Sequence, residues 1–208
     1  MTGDAAWHRS RERWRTAPPE WEHLTWGYIL SGDAFVAKVA EHVDFDDQKR
    51  VLEVGPGYGR LLQAFLDQGI PFGHYCGLDL SDGNCAYLSE RFPRSDVSFV
   101  QGDIETATFD TAFDVVVSSL TFKHLYPSFE AALRNVSRSL APGAHVCIDF
   151  VEGQAQHFEG VTFNRWYSRE EILDIIGRVG LEDCVFDQVE HDPEHVRLLM
   201  VARARASE

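Results

Sequence analysis

Residues 51–60, V-L-E-V-G-P-G-Y-G-R, join an apolar run to a carboxylate and three alternating glycines. Glu53 lies near the end of a predicted buried strand, and Gly55, Gly57 and Gly59 follow it in a turn. Glycines have no Cβ atom, so they permit tight turns and let a ligand lie directly against the main chain. The apolar spacing that follows predicts a helix. A strand, a glycine turn and a helix in this order predict a nucleotide-type binding corner.

Two further carboxylates stand at predicted strand ends. Asp79 closes the second strand about twenty residues further on, where a carboxylate can hold both hydroxyls of a ribose. Asp103 follows the third strand in the segment Q-G-D-I-E. Each has a simpler explanation, because a strand-end aspartate often only caps a helix or a loop, and Ser81 is a rival cap. Taken alone, these residues do not distinguish NAD from other adenosine ligands.

His124 is the candidate catalytic base, in the segment T-F-K-H-L just after the fourth predicted strand. Histidine titrates near neutrality and suits proton transfer. The structural alternative is a half-buried histidine that hydrogen-bonds to a backbone group. The neighbouring Lys123 is expected in solvent, and His23, His145 and His157 are weaker candidates for the base.

Strands and helices alternate from residue 51 onward. The predicted strands are Val51–Val54, Tyr75–Leu80, Val97–Val100, Phe113–Ser118 and Ala144–Phe150, and the helices between them are Arg60–Gln68, Asp82–Arg91 and Ser128–Leu140. Strands that are apolar throughout and separated by helices imply a parallel sheet covered on both faces.

The C-terminal third has a different pattern. A capping box at Ser168–Glu171 begins a helix that ends at Gly180. Two strand-like runs, Cys184–Val189 and Val196–Ala202, are then joined by a short connector. A parallel crossover needs about a dozen residues or more, so these two strands must be antiparallel neighbours.

Length and composition bound the organisation. The 208 residues, 44% of them hydrophobic, suit one domain. We expect an N-terminal lid-like segment at 1–33, and a core at 34–208 with a substrate-side insertion at 152–167. The net charge of -14, from 19 basic and 33 acidic residues, argues against a nucleic-acid partner. A basic cluster at residues 9–15 is expected to be a solvated helix face.

The cysteines and the hydropathy predict the compartment. The four cysteines are scattered and the first residues of the sequence are not an apolar leader, which predicts the reducing environment of the cytoplasm. No apolar run approaches the roughly 20 residues that cross a membrane, so no membrane partner is expected.

Four segments occur in order, each at a predicted strand end: E-V-G-P-G-Y-G, G-L-D-L-S, Q-G-D-I-E and F-D-V-V-V-S-S-L. With the C-terminal hairpin they resemble the class I S-adenosylmethionine-dependent methyltransferase family, in its small-molecule branch. The resemblance covers residues 35–202. It implies an α/β fold, a Rossmann-like, doubly wound, mainly parallel seven-stranded sheet that ends in an antiparallel hairpin.

The resemblance also implies how the methionyl part of S-adenosylmethionine is held. Gly55 and Gly57 would approach it, with Gly59 in the same turn. Glu53 would orient its ammonium group directly or through water. Ser118, at the end of the fourth strand, would place a carbonyl near that ammonium.

The adenosine part is assigned in the same way. Asp79 would hold the ribose hydroxyls, and Leu80 would pack on the adenine. Asp103 would accept a hydrogen bond from the adenine amino group, while the Ile104 amide would bind a ring nitrogen.

The implied reaction is in-line methyl transfer to a small-molecule acceptor, at oxygen or nitrogen. No N-P-P-Y or D-P-P-Y segment follows the fourth strand, which argues against methylation of adenine or of glutamine amides. No metal is predicted, since Asp149 and Glu152 lack a third ligand nearby. The alternatives are an NAD-dependent oxidoreductase and a non-catalytic module that binds S-adenosylmethionine.

Aromatic residues outside the shared core predict the acceptor pocket. Trp21, Trp26 and Tyr28 precede the first core helix, and Trp166 and Tyr167 follow the fifth strand. Aromatic side chains offer large apolar contact and can attract a cation. The alternative is core filling, which is expected for about half of them.

Overall fold

The computed structural model describes residues 3–16, 32–191 and 196–206. Its helices are α1 (Gly3–Thr16), α2 (Gly32–His42), α3 (Arg60–Asp67), α4 (Asp82–Arg91), α5 (Glu130–Ser137) and α6 (Arg169–Val179). Its strands are β1 (Arg50–Val54), β2 (His74–Asp79), β3 (Val97–Gln101), β4 (Phe113–Ser118), β5 (Leu140–Val151), β6 (Gln156–Glu159), β7 (Thr162–Arg165), β8 (Glu182–His191) and β9 (Val196–Arg203). A short 3-10 turn spans Phe122–His124.

Seven strands form one sheet in the order β3-β2-β1-β4-β5-β9-β8. The first five are mutually parallel, and β9 pairs antiparallel with both β5 and β8. The predicted fold class is therefore confirmed, with the antiparallel hairpin at one edge. Among the described residues, no helix is long and apolar enough to cross a membrane.

The sheet is buried on both faces because neighbouring positions of its central strands are apolar. Val51 and Leu52 are adjacent in β1, and both are fully buried. Val51 packs in a cluster with residues of α2 and α3, whereas Leu52 packs in a cluster with residues of α5 and α6. Successive side chains of a strand point to opposite faces, so this division shows a three-layer α/β/α arrangement.

Two boundaries differ from the sequence prediction around the fifth strand. The predicted helix Ser128–Leu140 is shorter and ends at Ser137, while β5 begins at Leu140 rather than Ala144. Leu140 is drawn into the sheet because it pairs with Phe113 of β4. The capping box is present as predicted: the Ser168 hydroxyl and the Glu171 carboxylate cap α6 reciprocally.

The segment 152–167 contains an antiparallel β6–β7 hairpin that the sequence analysis did not predict. Its alternation of polar and apolar residues is short, and the hairpin forms a sheet of its own. Helix α1 contacts this hairpin, and the Phe163 amide donates a hydrogen bond to the Ser10 hydroxyl at 3.0 Å. These two elements lie beside the carboxyl ends of the parallel strands.

Candidate active site

A cavity of about 560 Å³ opens at the carboxyl ends of the parallel strands. The chain enters β1 in the middle of the sheet and proceeds outward to β2 and β3, then returns to β4 on the other side. Ligands of open α/β sheets bind at this kind of reversal. The cavity is lined by residues that follow β1, β2, β3 and β4, and by residues of α1 and the β6–β7 hairpin.

The glycine turn forms the inner wall of this cavity. Gly55 and Gly57 both line it and both have positive φ angles, 72° and 56°. A Cβ atom on Gly55 would lie 2.2 Å from the Thr121 hydroxyl oxygen, so a side chain there is excluded by both the conformation and the contact. The backbone of the turn is consequently exposed to whatever occupies the cavity.

Gly59 differs from the other two glycines. It does not line the cavity, and it precedes α3 with a φ of 86°. A Cβ atom there would lie 2.5 Å from the Phe92 ring. The structure therefore places Gly59 against α4 and the Phe92 ring and not in the cavity wall, which corrects its selection as a cofactor-binding residue.

Asp79 is buried at the end of β2 and accepts hydrogen bonds from three groups. Its Oδ2 accepts from the Gly57 amide at 3.1 Å, and its Oδ1 accepts from the Ser81 amide at 2.9 Å and the Asn84 side chain at 3.2 Å. Burial raises the pKa of this carboxyl, and these hydrogen bonds oppose the rise. The N-cap of α4 is Ser81, whose hydroxyl accepts a hydrogen bond from the Asn84 backbone amide. Asp79 is therefore not the cap of this helix, and it lines the cavity.

Glu53 lines the cavity with only 2% of its surface exposed. The Tyr75 hydroxyl donates to its Oε2 at 2.7 Å. Burial raises the pKa of Glu53 to about 7, even though the Tyr75 hydrogen bond and the charge of Arg60 lower it. A cation arriving beside this carboxyl would favour its ionised form.

Leu80, Asp103 and Ile104 all line the end of the cavity nearest β2 and β3. The Ile104 carbonyl accepts a hydrogen bond from the Asn135 side chain at 2.9 Å, which ties this loop to α5. Asp103 forms an ion pair with Arg11 of α1. The basic cluster of α1 was expected in solvent, and for Arg11 that expectation is wrong.

Ser118, which was predicted at the cofactor site, lies outside the cavity wall. Ser118 is fully buried, its hydroxyl donates to the Val54 carbonyl at 2.7 Å, and it does not line the cavity. Ser119, Leu120 and Thr121 line the cavity in its place. Ser118 is the last residue of β4, and its side-chain hydrogen bond joins β4 to the neighbouring β1.

His124 lines the cavity, half-buried under Trp14 of α1, with their ring centroids 4.8 Å apart. Its Nδ1 lies 2.7 Å from the Phe163 carbonyl, which can only accept, so Nδ1 carries the proton and Nε2 is the acceptor. Burial, with the charge of Lys123, lowers the pKa of His124 to about 3. The imidazole is therefore neutral at physiological pH.

The predicted aromatic residues divide into three groups. Trp166 lines the cavity, whereas Tyr167 is fully buried against Phe129 and Phe150, with ring centroids 4.9 and 5.5 Å apart. Tyr167 is a core residue, which corrects its assignment to the acceptor pocket. Trp21, Trp26 and Tyr28 lie outside the described residues. The aromatic residues that α1 adds to the cavity wall are Trp7 and Trp14, which the sequence analysis did not select.

A buried polar cluster near the carboxyl end of β5 was also missed. Asp149 accepts from the Ser119 hydroxyl at 2.6 Å and from the Leu120 amide at 2.7 Å, and it forms an ion pair with Arg197. The Arg60 guanidinium donates to the same Ser119 hydroxyl at 2.7 Å. Across the described ranges, no group of three or more His, Cys, Asp or Glu residues could hold a metal ion.

Lys123 lies beside this cluster and is 7% exposed, so the expectation that it is solvated is wrong. It lines the cavity, and burial lowers its pKa to about 8. The sequence holds no local signal for this burial, because the turn that carries Lys123 is covered by β5 and β7.

Comparison with known proteins agrees with this architecture. A family model described as a methyltransferase domain matches residues 52–148, which span β1 to β5. Residues 52–148 thus match a methyltransferase domain. The resemblance deduced from the four strand-end segments is thereby confirmed, and the matched range contains every cofactor-side residue selected from the sequence.

Curated relatives of the methyltransferase domain match it over part of their length. The phthiotriol/phenolphthiotriol dimycocerosates methyltransferase of Mycobacterium leprae is 36% identical over 99 residues, 47% of this chain and 36% of that protein. The fatty-acid O-methyltransferase of Mycolicibacterium smegmatis is 38% identical over 98 residues, 47% of this chain and 35% of that protein. The chain thus spans about a third of the length of these relatives.

A solved structure shows the same fold over nearly the whole chain. The Burkholderia thailandensis 1,6-didemethyltoxoflavin-N1-methyltransferase, with bound 1,6-didemethyltoxoflavin and S-adenosylhomocysteine, superposes with a TM-score of 0.77. The superposition covers 97% of this chain and 89% of that one, at 20% identity. The methyltransferase domain described here therefore has the fold of that enzyme.

Proposed function

We propose that the chain binds S-adenosylmethionine at the carboxyl ends of β1, β2 and β3 and transfers its methyl group to a small-molecule acceptor. The observation that carries this proposal is the row of carboxylates, Glu53, Asp79 and Asp103, which line one cavity from three adjacent strands. The methyltransferase-domain match over residues 52–148 supports the same conclusion.

The cavity suits the cofactor chemically. Its volume of about 560 Å³ lies within the range of roughly 300–1,000 Å³ typical of ligand pockets. A carboxylate has about four acceptor positions, so Asp79 can accept from a ribose hydroxyl in addition to its three protein donors. The buried carboxyl of Glu53 suits the ammonium group of the methionyl part, and the bare backbone at Gly55 and Gly57 permits close approach.

The adenine would lie between Leu80 and Ile104, where the wall is apolar and the Asp103 carboxylate adds an acceptor. Arg11 of α1 holds this carboxylate from the other side. Helix α1 would then cover the bound cofactor and exclude water from it. We propose this covering role for residues 3–16, the described part of the N-terminal segment expected to be lid-like.

The sulfonium supplies an activated methyl group, and the protein supplies alignment and the exclusion of water. Alignment alone can contribute about 7–11 kcal/mol of the barrier. In this proposal the neutral His124 accepts a hydrogen bond at Nε2 from the acceptor and so orients its reacting atom. A histidine whose pKa is about 3 is a weak base, so His124 acts here mainly in positioning.

The acceptor would occupy the half of the cavity formed by α1, the residues after β4 and the β6–β7 hairpin. Trp7, Trp14 and Trp166 give this half its apolar surface. By their names, the relatives described above act on phthiotriol and phenolphthiotriol dimycocerosates, on fatty acids at oxygen, and on 1,6-didemethyltoxoflavin at N1. We infer an acceptor of that small-molecule kind for this chain.

The proposal is tested with methyl-labelled S-adenosylmethionine and a metabolite extract, by searching for labelled small molecules. We expect at least one labelled product that depends on the protein, and less of this product with Asp79→Ala at a limiting concentration of S-adenosylmethionine. A protein that binds the cofactor but labels nothing in extracts of several sources would support a non-catalytic binding module instead.

A further inference from the structure

Two polar side chains of β7 face the cavity without a partner in the protein. Thr162 and Asn164 both line the cavity, and each is only 8% exposed. Among the described residues, neither side chain has a hydrogen-bond partner. Buried polar side chains are almost always hydrogen-bonded, so the partners of these two must come from the cavity.

The alternation of side chains along β7 explains this placement. Successive side chains of a strand point to opposite faces, so Thr162 and Asn164 share one face and Phe163 lies on the other. Phe163 is buried and packs against the rings of Tyr126 and Phe158, each with its centroid 5.3 Å away. Two residues of a strand span roughly 6–7 Å, so the two polar groups stand side by side along the cavity wall.

The same stretch of β7 also positions His124. Phe163 lies between Thr162 and Asn164 in sequence, and its carbonyl oxygen lies 2.7 Å from His124 Nδ1. The His124 ring therefore stands beside the two polar side chains. A molecule bound by β7 is thereby brought next to the residue proposed to orient the reacting atom of the acceptor.

Charged residues of both signs also line this part of the cavity. Arg11 is paired with two carboxylates that follow β3, and Lys123 is buried. Arg13 of α1 and Glu159 of β6 are exposed. The two side chains of β7 differ from all of these because they carry no charge. The group that they recognise is therefore defined by its hydrogen bonds, whatever the net charge of the whole acceptor.

The carboxamide of Asn164 determines which group fits. It holds a carbonyl acceptor and an NH2 donor side by side in one plane. An amide of a ligand presents the complementary arrangement, so the two can form a pair of parallel hydrogen bonds, as asparagine does with the edge of adenine. A carboxylate offers only acceptors and would leave the Asn164 carbonyl unpaired. A single hydroxyl cannot form two parallel bonds with it, and an unpaired half of a buried carboxamide is costly.

We propose that Asn164 binds an amide-type edge of the methyl acceptor, in which an N–H and a carbonyl lie side by side as in a lactam or a carboxamide. The assignment rests on the proposed methyltransferase function and names the group by which the acceptor is recognised. The Thr162 hydroxyl, on the same face of β7, can donate to or accept from another polar atom of the same molecule. Trp7 and Trp14 of α1, which also line the cavity, offer an apolar surface for its body.

The test is calorimetric titration of the full chain saturated with S-adenosylhomocysteine. One probe is the bicyclic lactam carbostyril, compared with N-methylcarbostyril, which lacks the N–H. The other is benzamide, compared with benzoate and benzyl alcohol. We expect at least one amide probe to bind about tenfold or more tightly than its comparison compounds, because these leave part of a buried carboxamide unpaired. Asn164→Leu should remove this preference.

Gln156→Leu is the matched control, because Gln156 carries a carboxamide on the same hairpin but is exposed and does not line the cavity. It should keep the preference for the amide probe, and thermal melting should show that the variants fold. If Asn164→Leu does not fold, Asn164→Asp takes its place, because aspartate has nearly the same shape but no N–H donor, and it should remove the preference as well.

The assignment is overturned if neither amide probe is preferred, if a folded Asn164 variant keeps the preference, or if Gln156→Leu also loses it. Any of these results leaves the binding of S-adenosylhomocysteine, and with it the proposed function, intact. If S-adenosylhomocysteine itself does not bind, the proposed function fails, and the assignment of Asn164 fails with it.

Discussion

The Gly57 amide donates a hydrogen bond to the Asp79 carboxylate at 3.1 Å, joining the glycine turn after β1 to the end of β2. Both residues line the cavity, so one carboxylate fixes the turn and also faces the ligand. Its other oxygen is held by the Ser81 amide and the Asn84 side chain. The geometry of the cofactor site therefore depends on Asp79 before any ligand binds.

Replacing Asp79 by alanine should weaken cofactor binding by about 1–3 kcal/mol, the cost of losing a hydrogen-bond acceptor that serves buried donors. It should also lower the thermal stability, because the Gly57 amide loses its acceptor. Calorimetry with S-adenosylhomocysteine and thermal melting measure the two effects. Asp82→Ala, on the exposed side of α4, is the control. Unchanged affinity in Asp79→Ala would show that the ribose assignment is wrong.

Glu53 should couple cofactor binding to proton release. Its pKa of about 7 lies above the ordinary value, so the carboxyl is mostly protonated at pH 6 in the free protein. The ammonium group of the cofactor favours the ionised form, so binding should release a proton at pH 6 and little at pH 8. Affinity should therefore rise with pH, by up to about tenfold per unit below the pKa.

Titrations in buffers of different ionisation enthalpy measure this proton. Glu53→Gln keeps the hydrogen bond with Tyr75 but cannot ionise, so its cofactor affinity should not vary with pH over this range. A proton release that persists in Glu53→Gln would assign it to another group. The raised pKa of Glu53 should also lower the free energy of unfolding as the pH rises from about 4.5 to 7. Over this range Glu53 loses its proton in the unfolded chain but retains it in the folded protein.

His124→Asn should retain the pH profile of the methyl-transfer rate. Asparagine can donate to the Phe163 carbonyl as Nδ1 does, and His124 is already neutral above its pKa of about 3. Loss of a general base typically lowers the reaction rate by about a hundredfold or more, and we expect His124→Asn to lower the methyl-transfer rate by less than that. If the rate of the unmodified protein instead falls below about pH 6.5 and this fall is absent in His124→Asn, then His124 titrates as a general base.

The stability of the protein should also respond to His124. Folding lowers the pKa of His124 to about 3. Below about pH 6.5, the unfolded chain therefore binds a proton at His124 that the folded protein does not bind. The free energy of unfolding should accordingly be intact above about pH 6.5 and fall as the pH drops towards 3. Chemical denaturation across this range should show a smaller fall in His124→Asn.

Gly55→Ala should destabilise the protein more than Gly69→Ala. Both glycines have positive φ angles, 72° and 65°, so both variants carry the strain of that conformation, about 1–2 kcal/mol. Only Gly55 faces an obstacle, the Thr121 side chain, whereas a Cβ atom on Gly69 would meet nothing within 4 Å. Chemical denaturation of the two variants gives the comparison. Equal losses would mean that Thr121 moves away without cost.

The parts of this fold that could be predicted from the sequence are local ones. The run from Val51 to Gly59 contains the sequence signals for a strand, a carboxylate and a turn within nine residues, so its local structure could be predicted from those residues alone. The capping box at Ser168 is local in the same sense. These features, with the alternation of apolar strands and helices, were sufficient to predict the fold class, and they selected Glu53, Asp79 and Asp103, which line the cavity.

The rest of the cavity could not be predicted because it depends on contacts between distant segments. Lys123 is buried only because β5 and β7 cover its turn, and Arg11 reaches Asp103 across more than ninety residues of chain. Tyr167 and Trp166 are adjacent in sequence, yet one fills the core and the other lines the cavity. Composition cannot separate such neighbours, since both are large aromatic residues.

Equilibrium titration with S-adenosylhomocysteine, compared with NAD under the same conditions, tests the central claim most directly. We predict saturable binding of one S-adenosylhomocysteine per chain, weakened in Asp79→Ala and retained in Asp82→Ala, with no binding of NAD at comparable concentrations. Tighter binding of NAD, or S-adenosylhomocysteine binding that Asp79→Ala leaves unchanged, would contradict the account.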